Sequence, residues 1–402
     1  MERTSVFRAS VEVPALAWLI SPIEIADFRA NYFERKPLLV KREDPGYYAE
    51  LMTMEDLDDV FATSNFRADN TRIIVDGRET PVSELGEAPG SELEKLYSYY
   101  RDGHTIIING IQERWTPLAR LCRRLNLEAN LHAQVNVYLT PPNARGFKAH
   151  YDTHDVLMAQ AYGSKTWRLY GADADLPLPT QRCDKSKDFG RPRTEFSLSD
   201  GDVVYLPRGT VHEGTSTGEA SMHITVGLHP PVWAASIKRA VEAIVENDIE
   251  FRKVMPLGFA HDAEVRTEAE QIAKFLADRL RDQMSPEDIV SRSAREAVVN
   301  HRTPDLHGHL LDLQRLDDVD LDTTVRRRSE TQMMLTVDES IARLAFHGKT
   351  VELPVHVVPE LRYIAETSQA GFTARSIAGD LDVAGCLVLV RMLFREGLLT
   401  TC

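Results

Sequence analysis

Alternation of apolar and polar residues dominates the middle of this 402-residue chain. Residues 135–140 (Val-Asn-Val-Tyr-Leu-Thr) alternate with the two-residue period of a half-buried β-strand. Further strand-like runs, bounded by turn residues, lie at 155–163, 166–170, 202–205 and 221–226. Short strands that follow one another at turns in this way predict a double-stranded β-helix, a jelly roll of the cupin type.

Helical periodicity flanks this predicted β-core on both sides. Residues 116–125 carry apolar side chains at helical spacing after a Thr-Pro start, and 233–245 and 264–284 repeat the pattern beyond the core. A short helix, a turn, a longer helix and a terminal strand within 373–399 favour a winged-helix-like module. We therefore predict an α+β protein with a jelly-roll domain at 1–232, a helical domain at 233–325 and a winged-helix-like domain at 326–402.

The charge balance of the chain limits its partners. Its formal net charge is −14, whereas non-specific nucleic-acid binding needs clustered Lys and Arg, so we expect no DNA binding. The basic run at 326–328 is expected to be a linker or a solvated turn. Four widely spaced cysteines predict neither a zinc ribbon nor a disulfide framework. We see no signal peptide and no stretch of about 20 apolar residues, so we predict a cytoplasmic protein that does not contact membranes.

His150 and Asp152 are the first candidates for chemistry, because residues two apart in an extended segment point to the same side. His212, which follows a strand-like run and the Leu-Pro-Arg-Gly turn at 206–209, is the best candidate for a third ligand. Two histidines and one carboxylate on one face of a metal are typical of non-haem iron(II) oxygenases. A His-x-Asp pair also occurs in many proteins without a metal, and here the surrounding strand pattern favours the metal site.

The same segments carry a resemblance to a known family. The matching motifs are Asn136-Val137-Tyr138-Leu139-Thr140-Pro141, Gly146-Phe147, His150-Tyr151-Asp152, Lys165-Thr166-Trp167-Arg168-Leu169-Tyr170 and Leu206-Pro207-Arg208-Gly209-Thr210-Val211-His212. In their order and density over residues 130–230 they resemble the JmjC ribosomal oxygenases, the 2-oxoglutarate-dependent hydroxylases of ribosomal proteins.

The resemblance implies a set of cofactors and the residues that hold them. Fe(II) is expected on His150, Asp152 and His212, with 2-oxoglutarate as cosubstrate and dioxygen as oxidant. Lys165 matches the family lysine that pairs with the distal carboxylate of 2-oxoglutarate, a buried anion that needs a cationic partner. Tyr138 matches a second contact to that carboxylate through its hydroxyl group.

Further polar positions surround this predicted site. Asn136 shares a face with Tyr138 and is expected to reach the cosubstrate or an iron-bound water, while Thr225 matches another polar contact to the cosubstrate. Relatives often carry a serine where Gly227 stands here, so one polar contact is expected to be missing or supplied by water. His223 competes with His212 as a ligand, and we keep His212 and place His223 behind it. We expect His154 near the pocket mouth or on the polar surface.

The resemblance also implies a reaction and partners. The expected reaction is hydroxylation of an arginine or histidine side chain of a ribosomal protein, coupled to conversion of 2-oxoglutarate to succinate and carbon dioxide. Two alternatives remain open: a JmjC oxygenase acting on another protein, peptide or small molecule, including N-methyl-lysine demethylation, and a non-catalytic cupin-like binding protein. The acidic balance suits a basic ribosomal protein. Because the resembling enzymes dimerise through a helical segment at this place, we also predict a homodimer.

Overall fold

The computed structural model describes residues 3–7, 14–63, 65–66, 69–85, 91–299, 306–367 and 370–401. These residues separate into two compact units, one within Ala9–His229 and the other within Met1–Arg8 and Pro230–Cys402. No helix among the described residues combines the length and apolar character that crossing a membrane requires.

The secondary structure alternates between helical and extended segments along the chain. The helices are α1 (Ala15–Ile20), α2 (Ile25–Asn31), α3 (Met54–Thr63), α4 (Ser91–Arg101), α5 (Thr116–Ala129), α6 (Trp233–Asn247), α7 (Ala263–Gln283), α8 (Pro286–Val299), α9 (His309–Gln314), α10 (Val358–Thr367) and α11 (Val383–Arg395). The strands are β1 (Arg3–Phe7), β2 (Leu38–Val40), β3 (Thr71–Val75), β4 (Arg78–Thr80), β5 (Thr105–Ile108), β6 (His132–Thr140), β7 (Asp155–Ala172), β8 (Thr194–Ser199), β9 (Val203–Leu206), β10 (Thr210–His229), β11 (Val325–Arg327), β12 (Met333–Val337), β13 (Ile341–Phe346), β14 (Lys349–Pro354) and β15 (Leu399–Thr401).

Strands β2 to β10 form one 9-stranded sheet in the order β2-β9-β7-β10-β6-β5-β3-β4, with β8 paired to β7. The central strand β10 runs antiparallel to β6 on one side and to β7 on the other. The sequence predicted several shorter strands here, whereas β7 spans 18 residues and β10 spans 20. Register shifts between β7 and β10 interrupt the pairing and let such long strands bend.

The two faces of β7 pack into different hydrophobic clusters. Leu157 and Ala159 belong to a large core that also contains Leu118 of α5, so the helices cover this face. Val156 and Met158 point the other way and join a smaller cluster. The alternation predicted from the sequence therefore holds, and it leaves one face of the sheet available for a site.

The second unit has its own hydrophobic core. A 4-stranded sheet in the order β1-β12-β13-β14 and a 2-stranded sheet of β11 and β15 pack with α10 and α11. Strand β1 belongs to this unit because residues 3–7 pair with residues 333–337. The subdivision of residues 230–402 into a helical domain and a winged-helix-like domain stays a prediction.

The basic run at 326–328 is not the linker or solvated turn that the sequence led us to expect. Arg327 and Arg328 are only 3% and 4% exposed. The guanidinium of Arg328 donates to the backbone carbonyl of His307 at 2.7 Å and pairs with the carboxylate of Asp312. A buried carboxylate and carbonyl satisfy this charge, which the sequence alone could not reveal.

Candidate metal and cosubstrate site

Two distant histidines are brought face to face by the backbone itself. The backbone N–H of His150 donates to the carbonyl of His212 at 3.1 Å, and the N–H of His212 donates to the carbonyl of His150 at 2.8 Å. Residues that exchange both hydrogen bonds in this way lie directly opposite in an antiparallel pair, with side chains on the same side. Their ring centroids are therefore 4.8 Å apart.

Backbone carbonyls orient both imidazole rings. Nδ1 of His150 lies 2.7 Å from the carbonyl oxygen of Lys148, and Nδ1 of His212 lies 2.9 Å from that of Thr210. In the neutral ring the nitrogen beside a carbonyl oxygen carries the proton, so each Nε2 keeps its lone pair for a metal.

Asp152 completes a group of three metal-binding side chains. Its Oδ2 is 3.7 Å from Nε2 of His212, and the ligand atoms of His150, Asp152 and His212 all lie within 4.8 Å of one another. Within the His-x-Asp pair, His150 takes part in a β-bridge and Asp152 does not, so the extended geometry assumed for the pair holds only at His150. Tyr151 points elsewhere, and its hydroxyl donates to the carbonyl of Gln181 at 3.1 Å.

The protonation states of this group suit a divalent cation. Burial, with a smaller contribution from neighbouring His212, lowers the pKa of His150 to about 4, so the ring is neutral at physiological pH. Burial would raise the pKa of Asp152, but the neighbouring histidines outweigh it and the net shift is downward. Two neutral imidazoles and one carboxylate are the donor set of non-haem iron(II) sites.

A cavity of about 470 Å³, including space open to solvent, lies beside these three residues. The predicted residues Tyr138, Lys165 and Thr225 line it together with the three metal-binding side chains. The remaining lining residues are Thr105, Gly146, Phe147, Met158, Trp167, Glu213, Gly214 and His223.

Lys165 carries the positive charge of this cavity. It is 4% exposed, and its ammonium group donates to Thr140 Oγ1 at 3.1 Å, while Thr105 Oγ1 lies 3.3 Å from the same hydroxyl. No carboxylate of the described residues pairs with it, and burial lowers the pKa of Lys165 to about 7. A buried ammonium without an anionic partner is costly, so this position favours an anionic ligand.

Other polar atoms in the cavity also lack partners. His223 Nδ1, Trp167 Nε1 and Thr225 Oγ1 are buried and make no hydrogen bond to any described residue. Burial raises the pKa of Tyr138, so its phenol keeps its proton and can donate. Buried polar atoms are normally satisfied, and this set fits a dicarboxylate such as 2-oxoglutarate.

Asn136 is not among the residues that line the cavity. Its Oδ1 accepts a hydrogen bond from the backbone N–H of Gly110 at 3.0 Å, and its side chain also hydrogen-bonds to Tyr138. It therefore positions Tyr138 from behind. Its direct contact with the cosubstrate stays a prediction.

The absence of a side chain at Gly227 makes room for the ring of His154. A Cβ at Gly227 would lie 3.0 Å from Nε2 of His154, whose ring stacks on His229 at a centroid distance of 4.3 Å. The imidazole of His154 thus occupies the space that a side chain at 227 would need. His223, the competing imidazole, stacks on Tyr138 at 4.6 Å and is separate from the group of three metal-binding residues.

Sequence reasoning missed several residues of the cavity. Thr140 does not line the cavity itself but accepts the hydrogen bond of Lys165, and it shares the face of Tyr138 on β6, so strand alternation could have identified it. Strand alternation could not identify Gly214, because its role depends on close neighbours from another strand. A Cβ added there would lie 2.8 Å from Cε of Lys165 and 3.1 Å from the ring of Trp167. Glu213 accepts a hydrogen bond from the hydroxyl of Tyr170 at 2.7 Å, a partner that only the folded chain brings near.

Comparison with known proteins identifies the domain that carries this site. Residues 111–235 match the family model of the JmjC domain. The chain is similar to the bifunctional lysine-specific demethylase and histidyl-hydroxylase NO66 of Dictyostelium discoideum, with 30% identity over 349 residues that cover 81% of this chain and 66% of that protein. It is also 30% identical to ribosomal oxygenase 1 of Gallus gallus over 250 residues, which cover 60% of this chain and 41% of that protein. The chain therefore spans less than two thirds of the length of these curated relatives.

The fold matches solved structures over nearly its whole length. Escherichia coli ribosomal oxygenase YcfD superposes with a TM-score of 0.55 at 17% identity, covering 94% of this chain and 98% of that one. A YcfD complex with cobalt and 2-oxoglutarate gives 0.53 at 16% identity. At this sequence identity the superposition establishes the fold alone. That fold is the predicted cupin-type jelly roll with accompanying helical regions.

Proposed function

The chain belongs to the JmjC ribosomal oxygenase family, and from this premise we propose that it is an Fe(II)- and 2-oxoglutarate-dependent oxygenase. Its proposed reaction is hydroxylation of an arginine or histidine side chain of a ribosomal protein. The single observation that carries the proposal is the paired backbone bridge of His150 and His212, which sets two imidazoles beside the carboxylate of Asp152.

The proposed metal ligands are His150, Asp152 and His212. When bound, Fe(II) supplies oxidation chemistry in which 2-oxoglutarate and dioxygen become succinate and carbon dioxide while one oxygen atom goes to the substrate. The two histidines donate from Nε2 because backbone carbonyls hold their Nδ1 protons. His150, Asp152 and His212 would hold the metal from one side, and the cosubstrate would approach it through the cavity.

The proposed cosubstrate contacts are Lys165, Tyr138 and Thr225, with Thr140 behind the lysine. Lys165 neutralises the distal carboxylate, and the phenol of Tyr138 donates to the same group. Thr225 supplies a hydroxyl that has no partner among the described residues. The rings of Trp167 and Phe147 help to keep water out of the cavity.

A second reaction is favoured by one observation, which is the description of the Dictyostelium relative as both a lysine-specific demethylase and a histidyl-hydroxylase. The same site oxidises an N-methyl group in that case, and the product loses a methyl group as formaldehyde. A hydroxylated product gains the mass of one oxygen atom, so mass spectrometry separates the two reactions.

We also propose that the chain forms a homodimer through its helical segment. Trp233, Phe275 and Val290 of α6, α7 and α8 are 69%, 50% and 55% exposed. Of the apolar stripe predicted on α7, Ala269 is buried while Ile272 and Phe275 are exposed, so this face is available to a partner. We further propose that the protein is cytoplasmic and that residues 326–402 form a winged-helix-like domain.

The test combines metal-loaded protein with candidate substrates. Fe(II) and 2-oxoglutarate are added without oxygen, oxygen is then admitted with and without purified ribosomal proteins, and succinate and substrate mass are followed. Succinate with one added oxygen atom on a ribosomal protein supports the proposal. Absence of succinate from protein shown to hold Fe(II) contradicts it and favours a non-catalytic binding protein.

A further inference from the structure

We propose that a basic cleft beside the metal site binds an acidic side chain of the substrate, close to the residue that is oxidised. This inference rests on the proposed oxygenase function and deepens it by naming a feature of the substrate. The basic cleft is lined by Arg72, Glu79, Phe147, Lys148, His150 and Lys185, and it encloses about 700 Å³ including space open to solvent.

The basic cleft adjoins the metal site directly. His150 and Phe147 line both the basic cleft and the cavity that contains the metal-binding residues. The ring of Phe147 packs edge-on to His150 at a centroid distance of 5.4 Å, so it forms a wall between the two spaces. When a substrate residue reaches the metal site along this wall, the residues next to it in the substrate chain lie in the basic cleft.

The cleft carries excess positive charge although the whole chain is strongly acidic. The guanidinium of Arg72 forms a bidentate ion pair with the carboxylate of Glu79, with Nε 2.8 Å from Oε1 and Nη2 2.6 Å from Oε2. Lys148 and Lys185 also line the cleft, and no carboxylate of the described residues lies within salt-bridge distance of either ammonium group. Two cations that make no salt bridge to a described residue therefore face a space beside the site.

The positions of these cations are built into the fold. The N–H groups of Asp76 and Gly77, in the turn between β3 and β4, donate to the carbonyls of Arg145 and Gly146 at 3.0 and 2.7 Å. Gly77 has a φ of +76°, and a Cβ there would lie 2.6 Å from Cγ of Lys148, so its lack of a side chain makes room for the lysine stem. The turn thus supports Lys148 from below.

Phe147 joins the cations to one another. The guanidinium carbon of Arg72 lies 4.6 Å and the ammonium of Lys185 lies 5.2 Å from the centroid of its ring. Cations placed over an aromatic ring are held near it, which keeps Lys185 at the cleft although its segment is exposed. The basic cleft offers only two lysines without a salt bridge to a described residue and the net charge of the chain is −14, so a single carboxylate of a peptide fits better than a nucleic-acid backbone.

The experiment measures binding of labelled peptides to the protein loaded with Fe(II) and 2-oxoglutarate in the absence of oxygen. Each peptide has a central histidine or arginine, and Asp at a flanking position is compared with the isosteric Asn. We expect the Asp peptides to bind about tenfold more tightly at low salt, from two partly exposed ion pairs. The difference should shrink as salt is raised.

Variants assign the difference to the basic cleft. The double variant Lys148→Gln, Lys185→Gln should bind Asp and Asn peptides equally, while the matched control Lys187→Gln should keep the preference, because Lys187 is already paired with Asp173. Equal binding of the two peptides by the wild type, or a preference that survives in the double variant, would overturn the proposal. So would binding of none of the acidic peptides, or their displacement by short RNA but not by excess acidic peptide.

Hydroxylation of the peptides is measured separately from their binding. When oxygen is admitted, a mass gain on the bound peptides reports the hydroxylase function. Acidic peptides that bind through Lys148 and Lys185 but gain no mass would support the cleft and count against hydroxylation of peptides. Peptides that gain mass without any Asp preference would support the oxygenase and refute the cleft.

Discussion

The affinity of this protein for 2-oxoglutarate should depend on pH through Lys165. Burial lowers the pKa of its ammonium from the ordinary 10.5 to about 7 in the free protein. A bound carboxylate restores the charge, because an adjacent anion raises the pKa of an ammonium group. Binding above pH 7 therefore takes up a proton, and the affinity should fall as the pH rises.

The magnitude follows from the fraction of charged lysine. With a pKa of about 7, Lys165 is about nine-tenths charged at pH 6 and about one-tenth charged at pH 8. The Kd for 2-oxoglutarate should therefore rise about tenfold between these pH values, with nearly one proton taken up at the upper one. The pKa of His150 is about 4, so proton competition at that ligand lies below this window.

Calorimetry is the assay. Titration of 2-oxoglutarate into metal-loaded protein without oxygen, in two buffers of different ionisation enthalpy, gives both Kd and proton uptake. Lys165→Met should weaken binding at pH 6 by about 10- to 150-fold, since a hydrogen bond to a charged group contributes about 1.5–3 kcal/mol. Its affinity should no longer change with pH. A wild-type Kd that is constant from pH 6 to 8, or a slope that persists in Lys165→Met, would refute the reasoning.

Three further expectations follow from the site and from the helical segment. His212→Ala should abolish iron-dependent succinate formation while the circular dichroism spectrum stays that of the wild type, because it removes one of three ligands and little core. Gly214→Ala should raise the 2-oxoglutarate concentration needed for half-maximal turnover several-fold, since the new Cβ would displace Lys165. Phe275→Glu should shift the protein from dimer to monomer in analytical ultracentrifugation, because it charges an exposed apolar face.

Matched controls accompany these variants. His261→Ala removes an exposed histidine of the second unit and should keep activity. Gly218→Ala lies in the same strand as Gly214 but has open space around the added Cβ, so equal effects of the two would contradict the steric argument. Lys274→Glu changes an exposed polar position of α7. If Lys274→Glu dissociates the dimer to the same extent as Phe275→Glu, the added charge rather than the loss of the apolar face is responsible.

The buried ammonium of Lys165 should also make the stability of the folded protein depend on pH. At pH 6 Lys165 is protonated in the folded and unfolded chain, so the folded state bears the full cost of burying the ammonium, at most about 5 kcal/mol from the fall in pKa. As the pH rises above 7 the folded chain loses this proton while the unfolded chain keeps it, so the wild type should gain stability. In urea unfolding of the metal-free protein at pH 6, Lys165→Met should therefore be more stable than the wild type. A less stable variant would contradict the assigned cost of burial.

Local features of this protein followed from the sequence. Alternation on β6 separated Val135 and Val137, which pack in the core, from Tyr138, which lines the cavity. The Thr-Pro start and apolar spacing predicted α5. These patterns are local because the strand period and the helix period depend only on neighbouring residues. The roles of Lys165 and Tyr138 came from resemblance to a family, since a lysine at a strand start is otherwise expected at the surface.

Only the tertiary structure decided what lies opposite each of these residues. It placed His212 across from His150, Thr140 and Gly214 around Lys165, and the β3–β4 turn beneath Lys148. It also buried Arg328 against Asp312 and placed Oδ1 of Asn136 at the backbone N–H of Gly110. The period of a strand determines which face a side chain takes, but the partner across the sheet depends on the register between segments far apart in the chain. That register is decided by packing of the whole domain, so the ligands could be proposed from the sequence but the basic cleft could not.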